Sequence, residues 1–473
     1  MDNINEKHRL IFETVAKAGE LCGQQVYVIG GYVRDYYLCR IREAAADMDF
    51  VTLGSGIALA QKVADLLNTK DVAIFKNFGT AHVRFDSFDL EFVGARKESY
   101  ERGSRKPIVE NGTLEDDQLR RDFTINALSW SLNKDDFGKL CDPFGGLADL
   151  EARLIRTPVD PDITFNDDPL RMMRAIRFAT QLGFDIVDET FESIKRSAKR
   201  IEIISQERIS DELNKIIQSP IPSVGFAHLF KTGLLEIIFP ELYNLHGVEE
   251  INGIRHKDNF WHTLQVLDNV ASESENLWLR WAAILHDIAK PATKRFVPSV
   301  GWTFHGHDAL GVRYTKNIFR RFTLPLDERL RYVQKLVKLH LRPIALVDEI
   351  VTDSAIRRLI VEAGDDLDDL MKLCRADITS KNESKVRQYL TNFDFVEQKI
   401  NEVAEKDRLR NWKPPISGDE IMNTLKLKPG PEVGTIKKAI EEAIMEGEIP
   451  NEYQAAYNYM LKIYDQKTAK DKN

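Results

Sequence analysis

Two aspartates one residue apart, Asp47 and Asp49, follow an apolar run and a double glycine, and no other feature constrains the chain as much. Val26-Tyr27-Val28-Ile29 has the composition of a short strand, and Gly30-Gly31 ends it with two residues that present no Cβ to an approaching anion. Asp47-Met48-Asp49-Phe50-Val51 reads as a second strand. Its period of two puts both carboxylates on one face and Met48 and Phe50 on the other. Paired hard oxygens suit Mg²⁺ and the glycine turn suits a phosphate, so Val26 to Thr52 reads as a cradle for a metal ion and a triphosphate. Each motif alone is common in ordinary structure, and it is their order that carries the reading.

Around this cradle the periodicity predicts helices over about 8–22 and 58–67 and strands at 72–75, 82–85 and 90–93, a mixed α/β head. Residues 97–111 are polar and aperiodic and read as a mobile loop near the site. Arg120-Arg121-Asp122 and Asn126 follow, offering forked donors to a triphosphate and polar groups to ribose hydroxyls. From about 153 the chain reads as helical to its end. In that part Asp168 precedes Pro169, which is good N-cap chemistry, and Asp167 and Arg171 have the spacing of an ion pair. Farther on, His262, His286-Asp287, His305, His307, His340 and Asp377 form a set that suits a divalent transition metal.

A chain of 473 residues with 43% hydrophobic content can bury several cores, and three or four domains are expected. The net charge of −8 disfavours indiscriminate polyanion binding, so a nucleic-acid surface has to be a local patch. Two basic clusters are candidates: 195–200, and the series Arg313, Lys316, Arg320, Arg321, Arg329, Arg331, Lys335 and Lys338. Charge of this kind is more often a solvated helix face. Four scattered cysteines without C-x-x-C spacing argue against a disulfide framework and a zinc-thiolate site. With no apolar run of membrane-spanning length and no signal-peptide core, the expectation is a cytoplasmic protein with no membrane partner.

Gly30-Gly31-Tyr32-Val33-Arg34-Asp35 followed by Asp47-x-Asp49 resembles the head of nucleotidyltransferases with the DNA polymerase β catalytic fold, in particular the bacterial-type tRNA nucleotidyltransferase and poly(A) polymerase family. The run 120–128 resembles that family's second signature. The resemblance implies Mg²⁺ at Asp47 and Asp49 and a third carboxylate on the neighbouring strand, for which Glu91 is preferred over Asp89. It also implies nucleotide contacts from Gly30, Gly31, Arg34, Arg120, Arg121, Asp122 and Asn126. Asp167-Asp168-x-x-Arg171 resembles the Glu-Asp-x-x-Arg motif that selects C and A, with Asp167 in the Glu position. Arg174 and Arg177, farther along the same stretch, are assigned to the nucleotide as well. Glu207-Arg208 to Leu213 resembles a bracing fifth motif.

The histidine set resembles the HD phosphohydrolase superfamily, with His262, His286, Asp287 and Asp377 as ligands and His305, His307 and His340 available for a second ion or the phosphate. The tail from Ile416 resembles the family's RNA-holding region. The implied architecture is a polymerase-β-like head (1–150), a helical neck (151–245), an HD domain (246–385) and a helical tail (386–473). The implied activity is addition of C and A to the 3′ end of tRNA from CTP and ATP. Poly(A) addition, CC-only or A-only addition, and phosphohydrolysis under a catalytically silent head remain as alternatives. The family's poly(A) polymerases tend to carry a basic Arg-Phe variant where this chain has Tyr32-Val33-Arg34-Asp35.

Overall fold

The computed structural model describes residues 4–41, 47–76, 79–99, 108–348, 352–379, 382–407 and 415–470. The chain forms two compact units, Met1–Pro240 and Glu241–Asn473.

The first unit opens with α1 (Glu6–Cys22), β1 (Val26–Ile29), α2 (Gly31–Tyr37), β2 (Asp47–Thr52) and α3 (Gly56–Leu67). Strands β3 (Val72–Phe75), β4 (Thr80–Phe85), β5 (Phe88–Gly94), β6 (Arg96–Ser99) and β7 (Ile108–Asn111) come next. After α4 (Leu114–Leu119) come β8 (Ser129–Ser131), β9 (Leu140–Cys141), α5 (Gly146–Ala152), α6 (Pro161–Asp167) and α7 (Leu170–Leu182). Seven strands make one sheet in the order β3-β4-β5-β2-β1-β8-β9. Only β2 and β5 run parallel within it, so the sheet is mixed.

Local chemistry sets the boundaries. Asn5 caps α1 by accepting from the His8 amide, and Gly23, with φ +66°, ends it; Thr113 and Asp116 close a reciprocal capping box on α4. The apolar face of β2 packs inward, with Phe50 stacked on Phe92 at 5.1 Å and Phe12 edge-on to Phe50. Met48 and Phe50 are fully buried, whereas Asp47 and Asp49 on the opposite face are not.

Two expectations need revision. The aperiodic stretch 97–111 is not loop at its flanks, because Arg96–Ser99 pairs antiparallel with Ile108–Asn111; residues 100–107 lie outside the described residues. Nor is the chain beyond 153 wholly helical. Leu154–Ile155 pairs with Asp185–Ile186, and Arg295–Val297 with Gly301–Thr303. Glu250–Ile251 pairs with Ile254–Arg255 around Asn252-Gly253, both with positive φ, the Asn-Gly signal of a tight hairpin.

The second unit is otherwise helical, built on Asn259–Glu273, Leu277–Leu285, Glu328–Leu339 and Leu367–Asp377, with a separate apolar cluster around Ile421, Ile436, Ile440 and Met460. Much of the basic charge is already paired: Lys195 with Glu192, Arg196 with Asp162, Arg321 with Glu241, Arg329 with Asp327 and Lys335 with Asp366. Among the described residues no helix is long and apolar enough to cross a membrane.

Candidate active site and metal centre

In-register pairing of β2 with β5 sets Asp47 beside Asp89 and Asp49 beside Glu91, so four acids share one sheet face. Burial raises the Asp49 pKa; Arg121 pulls against this and Asp47 adds to it. Burial raises Glu91 as well, and the charge of Asp49 adds to it. Glu91, paired with Asp49 in register, lines the cavity described below, whereas Asp89 pairs with Asp47 and is not part of that lining. Gly30 sits across from them with φ +82°; a Cβ there would come within 2.9 Å of Arg121 Nη1 and 3.4 Å of Asp49 Oδ2. Only glycine leaves that gap clear.

Asp117 is fully buried and anchors the arginine pair. Its Oδ1 accepts from Arg120 Nε and Nη2 at 3.0 and 2.6 Å, and its Oδ2 from Arg121 Nε at 3.4 Å. A second chain of contacts runs from Arg34 Nη1 to Asn126 Oδ1 (2.7 Å), from Asn126 Nδ2 to Asp122 Oδ1 (3.0 Å), and from Arg174 Nε to Asp122 Oδ2 (2.7 Å). Burial would raise Asp122, but Arg174 and Asn126 outweigh it and hold the carboxyl below its ordinary range. Asp168 uses Oδ1 to accept from the Leu170 amide at the start of α7 and Oδ2 to accept from Arg208 at 2.8 Å. The N-cap position of α7 is Pro169 and not the expected Asp168, which bonds the first helical amide from one residue earlier. Arg171 donates Nη2 to the Arg120 carbonyl at 2.6 Å.

These groups enclose a cavity of about 330 Å³ lined by Asp49, Glu91, Arg120, Arg121, Asp122, Asp168, Arg171 and Arg174 among others. Asp47 is exposed and outside the lining, which also does not include Arg34, Asn126 or Arg177. Arg177 is buried against Glu212 (3.1 Å) and the Phe178 ring (4.1 Å). Sequence reasoning missed Asp117, whereas Glu212 lies in the run 207–213 read as bracing and pairs with Arg177 and, at 3.9 Å, with Arg174. Asp117 stands three and four residues before the two arginines, the helical spacing of an ion pair, and was legible on that ground.

In the second unit, His262 from the helix Asn259–Glu273, His286-Asp287 at the end of Leu277–Leu285, and Asp377 at the end of Leu367–Asp377 converge. His262 Nε2 lies 2.8 Å from Asp377 Oδ1 and 3.7 Å from Asp287 Oδ2; His286 Nε2 lies 3.3 Å from Asp287 Oδ2. On the other side of Asp287, Oδ1 lies 3.4 Å from His307 Nε2 and 3.9 Å from His340 Nε2. Asp287 thus belongs to two trios able to hold an ion, His262-His286-Asp287 and Asp287-His307-His340. His305 is exposed and stands outside both.

Backbone carbonyls of Ala283, Phe304 and Val337 accept from Nδ1 of His286, His307 and His340, which directs each Nε2 inward. The buried His286 Nε2 lies 3.3 Å from Asp287 Oδ2 and 3.6 Å from Asp377 Oδ1 without an aligned hydrogen bond to either, which fits a ligand atom. With protein groups alone, burial disfavours charge on His286 but Asp287 and Asp377 outweigh it, raising it to about 10. An ion in this cluster therefore competes with a proton. Lys290, which sequence reasoning missed, donates to Asp287 Oδ2.

Family models match in succession: a poly A polymerase head domain (26–156), a probable RNA and SrmB binding site of polymerase A (183–245), an HD domain (259–378) and a putative tRNA nucleotidyltransferase domain 2 (366–459). The A-adding tRNA nucleotidyltransferase of Deinococcus radiodurans is 31% identical over 437 residues, covering 90% of this chain and 93% of that protein. The chain belongs to the bacterial-type tRNA nucleotidyltransferase family. Another relative in this family, the CC-adding tRNA nucleotidyltransferase of Thermus thermophilus, is 33% identical and covers 73% of this chain and 76% of its own length. The multifunctional CCA protein of Haemophilus influenzae is 29% identical, with 81% and 91% covered. The CCA-adding enzyme of Bacillus stearothermophilus in complex with CTP shares the fold, with TM-score 0.65, 23% identity and coverage of 97% and 98%.

As a tRNA nucleotidyltransferase, this chain is an enzyme of a divalent-metal-dependent class. The clustered acids of β2 and β5 fit that requirement.

Proposed function

We propose that this nucleotidyltransferase adds C and A, without a nucleic-acid template, to the 3′ end of tRNA from CTP and ATP. The observation that carries the reading is a single cavity that joins Asp49 and Glu91 to Arg120, Arg121, Asp168 and Arg171. Asp47 and Asp49, with Glu91, would hold Mg²⁺, which when bound neutralises phosphate charge and polarises the reacting phosphoryl group. Arg120 and Arg121, fixed by Asp117, face the triphosphate, and Gly30 keeps its path clear. Asp122 and Asn126, tied together and to Arg174, form the ribose side. Asp168 accepts from the exocyclic amino group of C or A, and Arg171 donates to the neighbouring ring acceptor. Residues 1–150 serve as head, 151–245 as neck, 246–385 as metal-cluster domain and 386–473 as RNA-holding tail, in a cytoplasmic enzyme.

Relatives named for A addition, CC addition and the complete triplet all resemble the chain, so the extent of addition is the quantity to measure. Transcripts of tRNA ending before the first C, after one C and after CC, each given CTP or ATP separately, are expected to take up C, C and A respectively. Extension of the last by long A tracts would instead mark a poly(A) polymerase. In the same assay Asp168→Ala is expected to lose discrimination against UTP and GTP by roughly 1 to 3 kcal/mol, because a carboxylate repels the carbonyl those bases present in place of the amino group. A variant that only melts earlier, with selectivity intact, would reduce Asp168 to its bonds with the Leu170 amide and Arg208.

A second activity is favoured by one specific feature, the sharing of Asp287 between two ion-binding trios. We propose hydrolysis of a phosphate or 2′,3′-cyclic phosphate on an RNA end by a transition-metal site at His262, His286, Asp287 and Asp377, with His307 and His340 completing a second position. Bound ions of this kind polarise a phosphoester and lower the pKa of water. Intact head carboxylates and arginines argue against the converse arrangement, a hydrolase with a silent head.

A further inference from the structure

Next to the histidine-aspartate cluster lies a cavity of about 820 Å³ that includes His262 in its wall. This is within the size range of sites that take a small organic ligand, roughly 300 to 1,000 Å³. The helix Asn259–Glu273 supplies one side through Trp261, Gln265 and Asn269, spaced four residues apart and therefore on one face. Trp261 is 43% exposed, a large aromatic surface kept at the cavity rather than in the core. Gln265 Nε2 donates to Asn269 Oδ1 at 3.0 Å, and Asn269 Nδ2 donates to the Ala376 carbonyl at 2.9 Å, so the two amides are held in order beside the ring.

The wall of the cavity is also bonded to the cluster. Lys257 Nζ donates to the Thr379 carbonyl at 2.6 Å, and the Thr379 hydroxyl lies 2.7 Å from His262 Nδ1, whose other nitrogen reaches Asp377. An aromatic plane, amides that read donor and acceptor edges, and a lysine beside a phosphate-directed metal cluster are together the chemistry of a nucleotide. A purely phosphate-directed site would need only the cluster and the lysine.

We infer that this cavity is a nucleobase subsite in which Trp261 stacks the base, placing the ribose phosphoester of a nucleotide or RNA 3′ end at the Asp287 cluster. The inference rests on the hydrolase reading for where the phosphoester goes, but the stacking itself can be measured apart from turnover. Gln265 and Asn269 contact the base edge, and Lys257 faces its phosphate.

Binding of 2′,3′-cyclic AMP to the full chain is measured by calorimetry in chelator, so that nothing turns over. Any contribution from the nucleotidyltransferase cavity is common to all variants and cancels. Trp261→Ala is expected to bind about tenfold more weakly, and Trp261→Phe, which keeps a stacking ring, to stay within about twofold of wild type. With Mn²⁺, Co²⁺ or Ni²⁺ supplied, KM for the cyclic nucleotide rises by the same factor in Trp261→Ala, whereas hydrolysis of glycerol 2-phosphate, which has no base, is unchanged. Equal binding by Trp261→Ala and wild type overturns the subsite, whatever the hydrolysis assay gives. Weakened binding together with no hydrolysis of either ester by wild type supports the subsite and removes the hydrolase reading instead.

Discussion

Asp49→Ala, and separately Asp47→Ala, are expected to abolish incorporation of C and of A alike, by at least about 100-fold, since even groups that only orient metal ligands are worth 10- to 100-fold. Both nucleotides are lost together because the carboxylates act on the phosphoryl group, which CTP and ATP share, and not on the base. Binding of tRNA, measured by filter retention, should stay close to wild type. Neutralising the same position with asparagine carries an opposite expectation for stability. Burial and neighbouring acids hold the Asp49 carboxyl above its ordinary value, so the folded protein binds that proton more tightly than the unfolded chain does. The ionised group therefore subtracts from stability at neutral pH, and the subtraction fades as pH falls through the raised value toward the ordinary one near about 4. Asp49→Asn in chelator should thus melt at or above wild type at neutral pH, with the difference closing as pH is lowered. Normal incorporation, or a marked loss of stability in Asp49→Asn, would count against a metal-holding role.

This separation of function from stability also explains what could be read from the sequence. The cradle was legible because its chemistry is local. A period of two places Asp47 and Asp49 on one face whatever the rest of the chain does, and Gly30-Gly31 marks the turn. Glu91 needed the neighbouring strand: only the in-register parallel pairing of β2 with β5 decides that it, and not Asp89, lies beside Asp49. Arg34, Asn126 and Arg177 carry the right residue types, but long-range packing decides their place. Arg34 crosses 92 positions to reach Asn126, and Arg177 turns toward Glu212. The short ladders after 153 escaped because strands of two or three residues have no measurable period, and only Asn252-Gly253 announced one of them. The histidine set was already divided at the level of sequence, with His305, His307 and His340 set apart for a second ion or the phosphate; that Asp287 faces both trios and that His305 lies outside them depends on helices that meet only in three dimensions.

Asp287 is for that reason the residue whose loss should reach farthest in the second unit. Its Oδ2 faces His262 and His286 and its Oδ1 faces His307 and His340, so one side chain serves both trios. Asparagine keeps the size but offers a single oxygen, and its NH₂ group cannot ligate an ion. Asp287→Asn is therefore expected to bring hydrolysis of 2′,3′-cyclic AMP to background with Mn²⁺, Co²⁺ and Ni²⁺ alike. It should also lower the metal bound per chain, measured by elemental analysis after dialysis, by at least one equivalent. His307→Ala removes a ligand from one trio only and should lose less metal than Asp287→Asn. Addition of C and A to tRNA should be unchanged in both variants, because the nucleotidyltransferase cavity is built wholly from residues before 241. If Asp287→Asn hydrolyses the cyclic ester at the wild-type rate, or binds as much metal as wild type, the cluster does not act as a shared two-position centre, and its histidines and aspartates are then a buried polar network that holds five helices together.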